Sequence, residues 1–177
     1  MRKARLATVW LDGCSGCHMS LLDMDERLID VLGQVDLVYS PLVDVKEYPN
    51  DVDVVLVEGA VSSEEDAEKI LKIRKRTKVV VSLGDCAVTS NVPSMRNRFK
   101  LEEVEHRAFV ENAQNNPQVP RQVIPRLLPH SRPVHEFVKV DVFVPGCPPE
   151  ADTIYFVLTE LLAGRLPDLS GKTHFGA

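Results

Sequence analysis

Cysteine is the residue type in this chain whose chemistry is hardest to explain as packing. There are four, Cys14, Cys17, Cys86 and Cys147. Cys14 and Cys17 form a C-x2-C pair inside Asp12-Gly13-Cys14-Ser15-Gly16-Cys17, Cys86 follows Gly84-Asp85, and Cys147 stands in Pro145-Gly146-Cys147-Pro148-Pro149. In a secreted chain an even count would suggest two disulfides, whereas in a reducing cytosol thiols serve catalysis or metal binding. Four thiolates suit tetrahedral zinc or an iron–sulfur cluster. Structural zinc usually takes two short knuckles, and this chain has one. Single cysteines on separate loops are better placed to enclose a larger object, a cubane with one iron per corner, and a Cys-Pro step also ends the bacterial ferredoxin run. Gly13, Gly16, Gly84 and Gly146 lie within two residues of a cysteine. Glycines there permit tight turns and let backbone N–H groups approach sulfur. The pattern points to a metal site and favours a 4Fe–4S cluster over zinc.

A dithiol competes with this reading. A strand containing Trp10, then C-S-G-C, then a helix is also the layout of the thioredoxin redox motif. That alternative gives Cys86 and Cys147 no task. The remaining polar residues are weaker candidates. Glu58 closes an apolar run beside Gly59, where it could relay protons or cap a loop. Asp12 and Asp85 precede cysteines and suit turn N–H groups. His18 could neighbour a cluster, although a surface histidine in a first helical turn needs no function, and His106, His130, His135 and His174 show no ligand spacing. No G-x-G-x-x-G or Walker loop is present.

The elements that must position these residues alternate between strand and helix. Arg5–Leu11 is β-rich and runs into the first cysteine turn; Leu21, Met24, Leu28 and Leu32 share a helical face that Gly33 closes. Val35–Tyr39 and Val52–Val57 read as strands two and three. A helix starts at Ser63, where Asp66 completes a capping box, with acidic residues in its first turn and Lys72, Arg74, Lys75 and Arg76 in its last. Lys78–Leu83 is the near-continuous apolar strand of a parallel sheet, Phe137–Val144 is a fifth, and a helix bearing Ile154, Val157, Leu158, Leu161 and Leu162 ends before Gly164. The expected fold is α/β, a flavodoxin-like doubly wound parallel sheet in the order 2-1-3-4-5. A long irregular excursion over 91–135, holding six of the 12 prolines, precedes the last strand and is expected to pack on a partner. Ligands in such sheets bind outside the carboxyl ends of the strands. Every cysteine follows a strand, so all four should share one rim.

The bulk properties agree. A chain of 177 residues, 44% hydrophobic, suits one domain spanning 1–177. A formal charge of −5 argues against nucleic-acid binding, because there is no basic stripe to displace counterions. Apolar runs are short and interrupted by charge, so no membrane span is expected. An N-terminus without a signal-peptide pattern makes the expectation cytoplasmic.

Four segments carry a family resemblance: T-V-W-L-D-G-C-S-G-C-H-M-S-L-L-D (8–23), V-E-G-A-V (57–61), G-D-C-A-V-T-S-N-V-P (84–93) and V-P-G-C-P-P (144–149). Over essentially its whole length the chain resembles the small subunit of nickel–iron hydrogenases, and most of all that of cytoplasmic NAD-reducing, bidirectional enzymes. The extra C-terminal cluster domain and twin-arginine leader of membrane-bound and periplasmic relatives are not expected here. The resemblance implies that Cys14, Cys17, Cys86 and Cys147 ligate one 4Fe–4S cluster; Gly16, Glu58, Asp85 and Gly146, by their position beside the cysteines or on the same rim, are candidates to surround it. It places the nickel–iron centre on a large-subunit partner, and FMN, NAD and further clusters on diaphorase subunits. The related small subunit of respiratory complex I has adjacent cysteines where this chain has Cys14-Ser15-Gly16-Cys17, which favours the hydrogenase. Several hydrogenases place a glutamate directly before the first cysteine, where this chain has Gly13. A second flavin is proposed near this subunit in some relatives; no phosphate-binding loop identifies one here, so FMN is unassigned.

Overall fold

The computed structural model describes residues 2–176; Met1 and Ala177, the ends of the expected 1–177 span, lie outside the described residues. β1 (Ala4–Trp10) pairs in parallel with β2 (Val35–Tyr39) on one side and β3 (Val52–Glu58) on the other. β3 is followed by short β4 (Val61–Ser63), the helix α3 (Glu64–Arg76) and β5 (Thr77–Leu83), which lies beside β3. The last strand of the sheet, β7 (Val142–Val144), pairs with β5. The resulting order, β2-β1-β3-β5-β7, is the expected 2-1-3-4-5 once the sheet's own members are counted.

Alternation along the strands sorts the core into two layers. Leu6, Val54, Leu56, Val81 and Leu83 face α1 (Gly16–Leu22), α2 (Glu26–Gln34) and α6 (Ala151–Leu162), from which Cys17, Leu21, Val31, Ile154 and Leu158 pack onto them. Ala7, Val9, Val55, Val57 and Val80 face the opposite way, toward Ile70 and Ile73 of α3, Ala87 of the five-residue α4 (Asp85–Thr89) and Val134. With both faces covered, β3 is buried along nearly its whole length, as its run of valines requires. The capping box at Ser63 forms: its hydroxyl accepts from the Asp66 N–H at 3.1 Å, and Asp66 accepts from the Ser63 N–H at 3.0 Å.

Three elements differ from the pattern read in the sequence. The first helix is two helices, because Asp25 at φ 52 breaks the chain between α1 and α2, and Gly33 lies within α2 instead of closing it. Strand five is only Val142–Val144, since the residues before it turn so that Asp141 can accept from Val80 N–H (2.9 Å) and Arg74 (2.6 Å). The excursion is irregular over much of its length but not without order. It holds a 3-10 turn at Val92–Arg98, α5 (Leu101–His106) and β6 (Leu127–Arg132), which pairs antiparallel with β4. Polar groups fasten it. Arg96 donates to the carbonyls of Ser62, Leu128 and Pro129, and Asn97 exchanges two 2.8 Å bonds with the Ser131 backbone.

Candidate metal centre

The carboxyl ends of β1, β3, β5 and β7 form one rim, and all four cysteines lie on it. Cys14 is in the exposed loop after β1, and Cys17 is buried in the first turn of α1. Cys86 is in α4, directly after β5, and Cys147 follows β7; both are half-buried. The loops are stitched together by backbone bonds. Gly84 N–H donates to Val144 C=O at 2.8 Å and Asp85 N–H to Gly146 C=O at 2.9 Å. Beneath Cys14, the Asp12 and Ala60 backbones exchange bonds of 3.0 and 2.8 Å.

Gly84 makes the closest approach. At φ +82, an added Cβ would stand 2.2 Å from the Cys17 sulfur, so only glycine lets the β5 turn pass the thiol. Three N–H groups already point at sulfur. Gly16 N–H donates to Cys14 Sγ at 3.4 Å and Asn91 Nδ2 to Cys147 Sγ at 3.6 Å, while Val92 N–H lies on the side of Cys86 Sγ and lowers the cost of charge there. Sequence reasoning missed Asn91 and Val92 as neighbours of the site. Their signal is distance from Cys86: one helical turn and a left-handed Ser90 (φ 67) bring the chain back over that sulfur.

The electrostatics of the thiols record their mutual proximity. Burial drives the Cys17 thiol far above its ordinary value, and Glu58, Cys86, Cys14 and Cys147 each add to the rise. Burial also pushes Cys86 up to about 11, with Cys147, Cys14 and Glu58 adding to it, despite the Val92 N–H bond that opposes the rise. Four thiolates gathered beside a buried carboxylate repel one another, so they coexist as anions only around strong positive charge. Four soft donors, glycines that let the loops pass close to sulfur, and N–H groups aimed at sulfur fit an iron–sulfur cluster. Among the described residues no three His, Cys, Asp or Glu side chains lie close enough together to hold one metal ion.

The polar candidates divide differently from their sequence reading. His18, read as a surface residue, is 6% exposed, and Glu58 is 1% exposed. Glu58 Oε2 accepts from the His18 backbone N–H at 3.0 Å and also meets the His18 Nδ1; Nε2 of the same ring lies 3.0 Å from the Thr8 hydroxyl, which donates to Ser40 at 2.8 Å. Glu58 thus anchors the start of α1 beneath Cys17. Periodicity could not reveal this, because the partner of His18 lies 40 residues away. Asp85 is buried and accepts from Gly146 N–H at 2.7 Å. Asp12 enters through its backbone. Trp10 is 46% exposed at the rim, beyond the core. Val92, Met95, Met19 and Phe99 are exposed as well. No helix among the described residues is long and apolar enough to cross a membrane.

Comparison with known proteins matches this architecture. Residues 14–161 match the family described as NADH ubiquinone oxidoreductase, 20 kDa subunit. The chain is 44% identical, over 94% of its length and 82% of the relative, to the NAD-reducing hydrogenase HoxS subunit delta of Cupriavidus necator. It is 38% identical, over 95% of its length, to a subunit of the F420-non-reducing hydrogenase vhu of Methanocaldococcus jannaschii, and it spans only 59% of that subunit. A crystal structure of an NAD+-reducing [NiFe]-hydrogenase in the H2-reduced state superimposes with a TM-score of 0.93 and 37% identity, covering 98% of this chain and 99% of the other. The [NiFeSe] hydrogenase of Desulfomicrobium baculatum, at 21% identity and a TM-score of 0.61, shares the fold. A flavodoxin-like sheet, a rim of four cysteines and these relatives together establish that the chain belongs to the NADH ubiquinone oxidoreductase 20 kDa subunit family, among the small subunits of nickel–iron hydrogenases.

Proposed function

We propose that this chain is the electron-transfer small subunit of an NAD-reducing nickel–iron hydrogenase that couples H2 + NAD+ to NADH + H+. In this reading residues 1–177 are one flavodoxin-like domain, with 91–135 as its excursion, in the cytoplasm. Cys14, Cys17, Cys86 and Cys147 hold a single 4Fe–4S cluster, and Gly16, Glu58, Asp85 and Gly146 shape its surroundings. Bound there, the cluster supplies one-electron storage between the nickel–iron centre of a large subunit and a diaphorase module with FMN, NAD and further clusters. The observation that supports this most is the gathering of four thiols from three strand-end loops on one rim, close enough that Cys14, Cys86 and Cys147 all act on the Cys17 thiol.

The chain's own residues do the rest. Cys17, the most buried thiol, is seated by α1, whose start Glu58 fixes. Gly16, Asn91 and Val92 offer N–H groups that stabilise negative charge on sulfur and so bear on potential. Exposed Trp10, Val92 and Met95, the last 65% exposed, provide apolar surface for the large subunit near the rim. The dithiol alternative fits less well, because Cys86 and Cys147 stand close enough to Cys17 to raise its thiol. The test is anaerobic co-purification with neighbouring subunits followed by metal and sulfide analysis. Replacing Cys86 and Cys147 with serine is expected to lower the complex's iron and sulfide by about four each. Iron and sulfide unchanged by those substitutions, with zinc lost instead, would sink the cluster, and insulin-type disulfide reduction surviving Cys86→Ser with Cys147→Ser would favour the dithiol.

A further inference from the structure

Residues 165–176 reach the cysteine rim. After α6 and Gly164, residues 165–176 run back along that helix, where Thr153 Oγ1 donates to Lys172 C=O at 3.2 Å and the Lys172 ammonium sits 4.6 Å from the Phe156 ring centre. The segment then reaches the Cys147 loop. Gly176 N–H donates to Asp85 Oδ2 at 2.7 Å, and Gly176 C=O accepts from Cys147 N–H at 3.0 Å. The other oxygen of the same buried carboxylate, Asp85 Oδ1, accepts from Gly146 N–H at 2.7 Å. One side chain on the Cys86 loop therefore holds the peptide before Cys147 and the tail together, and the tail holds the Cys147 amide.

We propose that residues 165–176 form a clasp of the cysteine site, closed by Gly176 on Asp85 and on the Cys147 amide, with Asp85 and Gly176 as positioning residues for Cys147. This role rests on Cys147 being a cluster ligand. Without the tail, Asp85 Oδ2 loses its donor in a buried place, and the Cys147 N–H loses its acceptor. That N–H is then free to turn toward sulfur, so the number of N–H···S bonds at this corner changes. Such a change alters the electronic state of a cluster and the hold on its iron, not only the stability of the fold.

The experiment uses the hetero-oligomeric complex purified anaerobically, with wild-type chain, a chain ending after His174, Asp85→Asn, and both changes together. Iron release to a ferrous chelator, the electron paramagnetic resonance spectrum and midpoint potential of the reduced protein, and thermal unfolding are measured. Each single change is expected to speed iron release about tenfold and to shift spectrum and potential in the same direction. The double change should go no further than either alone, because both break one linkage. A shortened chain with wild-type release and spectrum overturns the clasp, as do effects that multiply in the double variant. Lowered thermal stability with an unchanged spectrum assigns the tail a purely structural role and also overturns it. Iron and sulfide contents of the wild-type complex that equal those of a complex carrying Cys86→Ser with Cys147→Ser instead overturn the cluster reading itself.

Discussion

The two sides of the cysteine rim are built by different means. The side carrying Cys14 and Cys17 depends on side chains: a buried carboxylate, Glu58, grips the backbone and ring of His18, and that ring continues through Thr8 to Ser40. The side carrying Cys86 and Cys147 has one such carboxylate, Asp85, and otherwise depends on backbone, with loop-to-loop bonds from Gly84 and Asp85 and glycines where chains approach. The difference shows where each is vulnerable. Losing a side chain weakens either side, whereas the second is also undone by adding one.

Substitutions can test that contrast, beginning with the largest effect. Cys86→Ser or Cys147→Ser is expected to abolish hydrogen-driven NAD reduction in the complex and to lower the iron content; unaffected coupling would rule out the relay. Glu58→Ala should come next. It leaves two His18 donors buried without their acceptor and should cost about 3 kcal/mol, measured by denaturant unfolding, while Glu58→Gln, which keeps an acceptor, should cost clearly less. Equal losses in the two variants would mean that the hydrogen bonds do not hold this side. Gly84→Ala attacks the other side. Its φ of +82 alone costs an alanine about 1–2 kcal/mol, and the methyl displaces the Cys17 sulfur, so iron content should fall further than stability does.

The smallest effect belongs far from the rim, at Asp141. Burial raises this carboxyl, but bonds from Val80 N–H and Arg74, with the charges of Arg74 and Lys139, outweigh it and hold the group below its ordinary 3.8. A carboxylate depressed in the fold contributes stability that is complete above its unfolded value and fades as pH falls through the folded one. Asp141→Asn should therefore cost about 1 kcal/mol at neutral pH, and the gap from wild type should close as pH falls below the ordinary 3.8, in acid titrations followed by circular dichroism. A gap constant with pH would show that packing, not charge, holds Asp141.

The strand-end placement of the cysteines was legible in the sequence because each follows an apolar β run, and the order of the sheet follows from its class. The Ser63–Asp66 cap was legible because its partners are three residues apart. What remained hidden involves distant partners. Nothing near His18 announces burial, since Glu58 and Thr8 reach it from two other strands. β4 and β6 are short and their paired residues lie far apart in the chain, Ser63 with Leu127 and Val61 with Arg132, so neither shows a period of its own. The break at Asp25 escaped because the apolar face continues across it. Asp141 shortened a strand whose pattern ran on through Phe137.

The turn at Ser90 also constrains length. Between Cys86 and Val92 the chain makes one helical turn, reverses at a buried left-handed serine tied to Ser131 at 2.9 Å, and delivers two donors to two sulfurs. One inserted or deleted residue there would swing the downstream backbone by about 100° and carry both donors off target. Residues 114–118 are exposed throughout, and an insertion there touches nothing buried. Variation in length among hydrogenase small subunits should accordingly collect at 114–118 and avoid the stretch from 86 to 92.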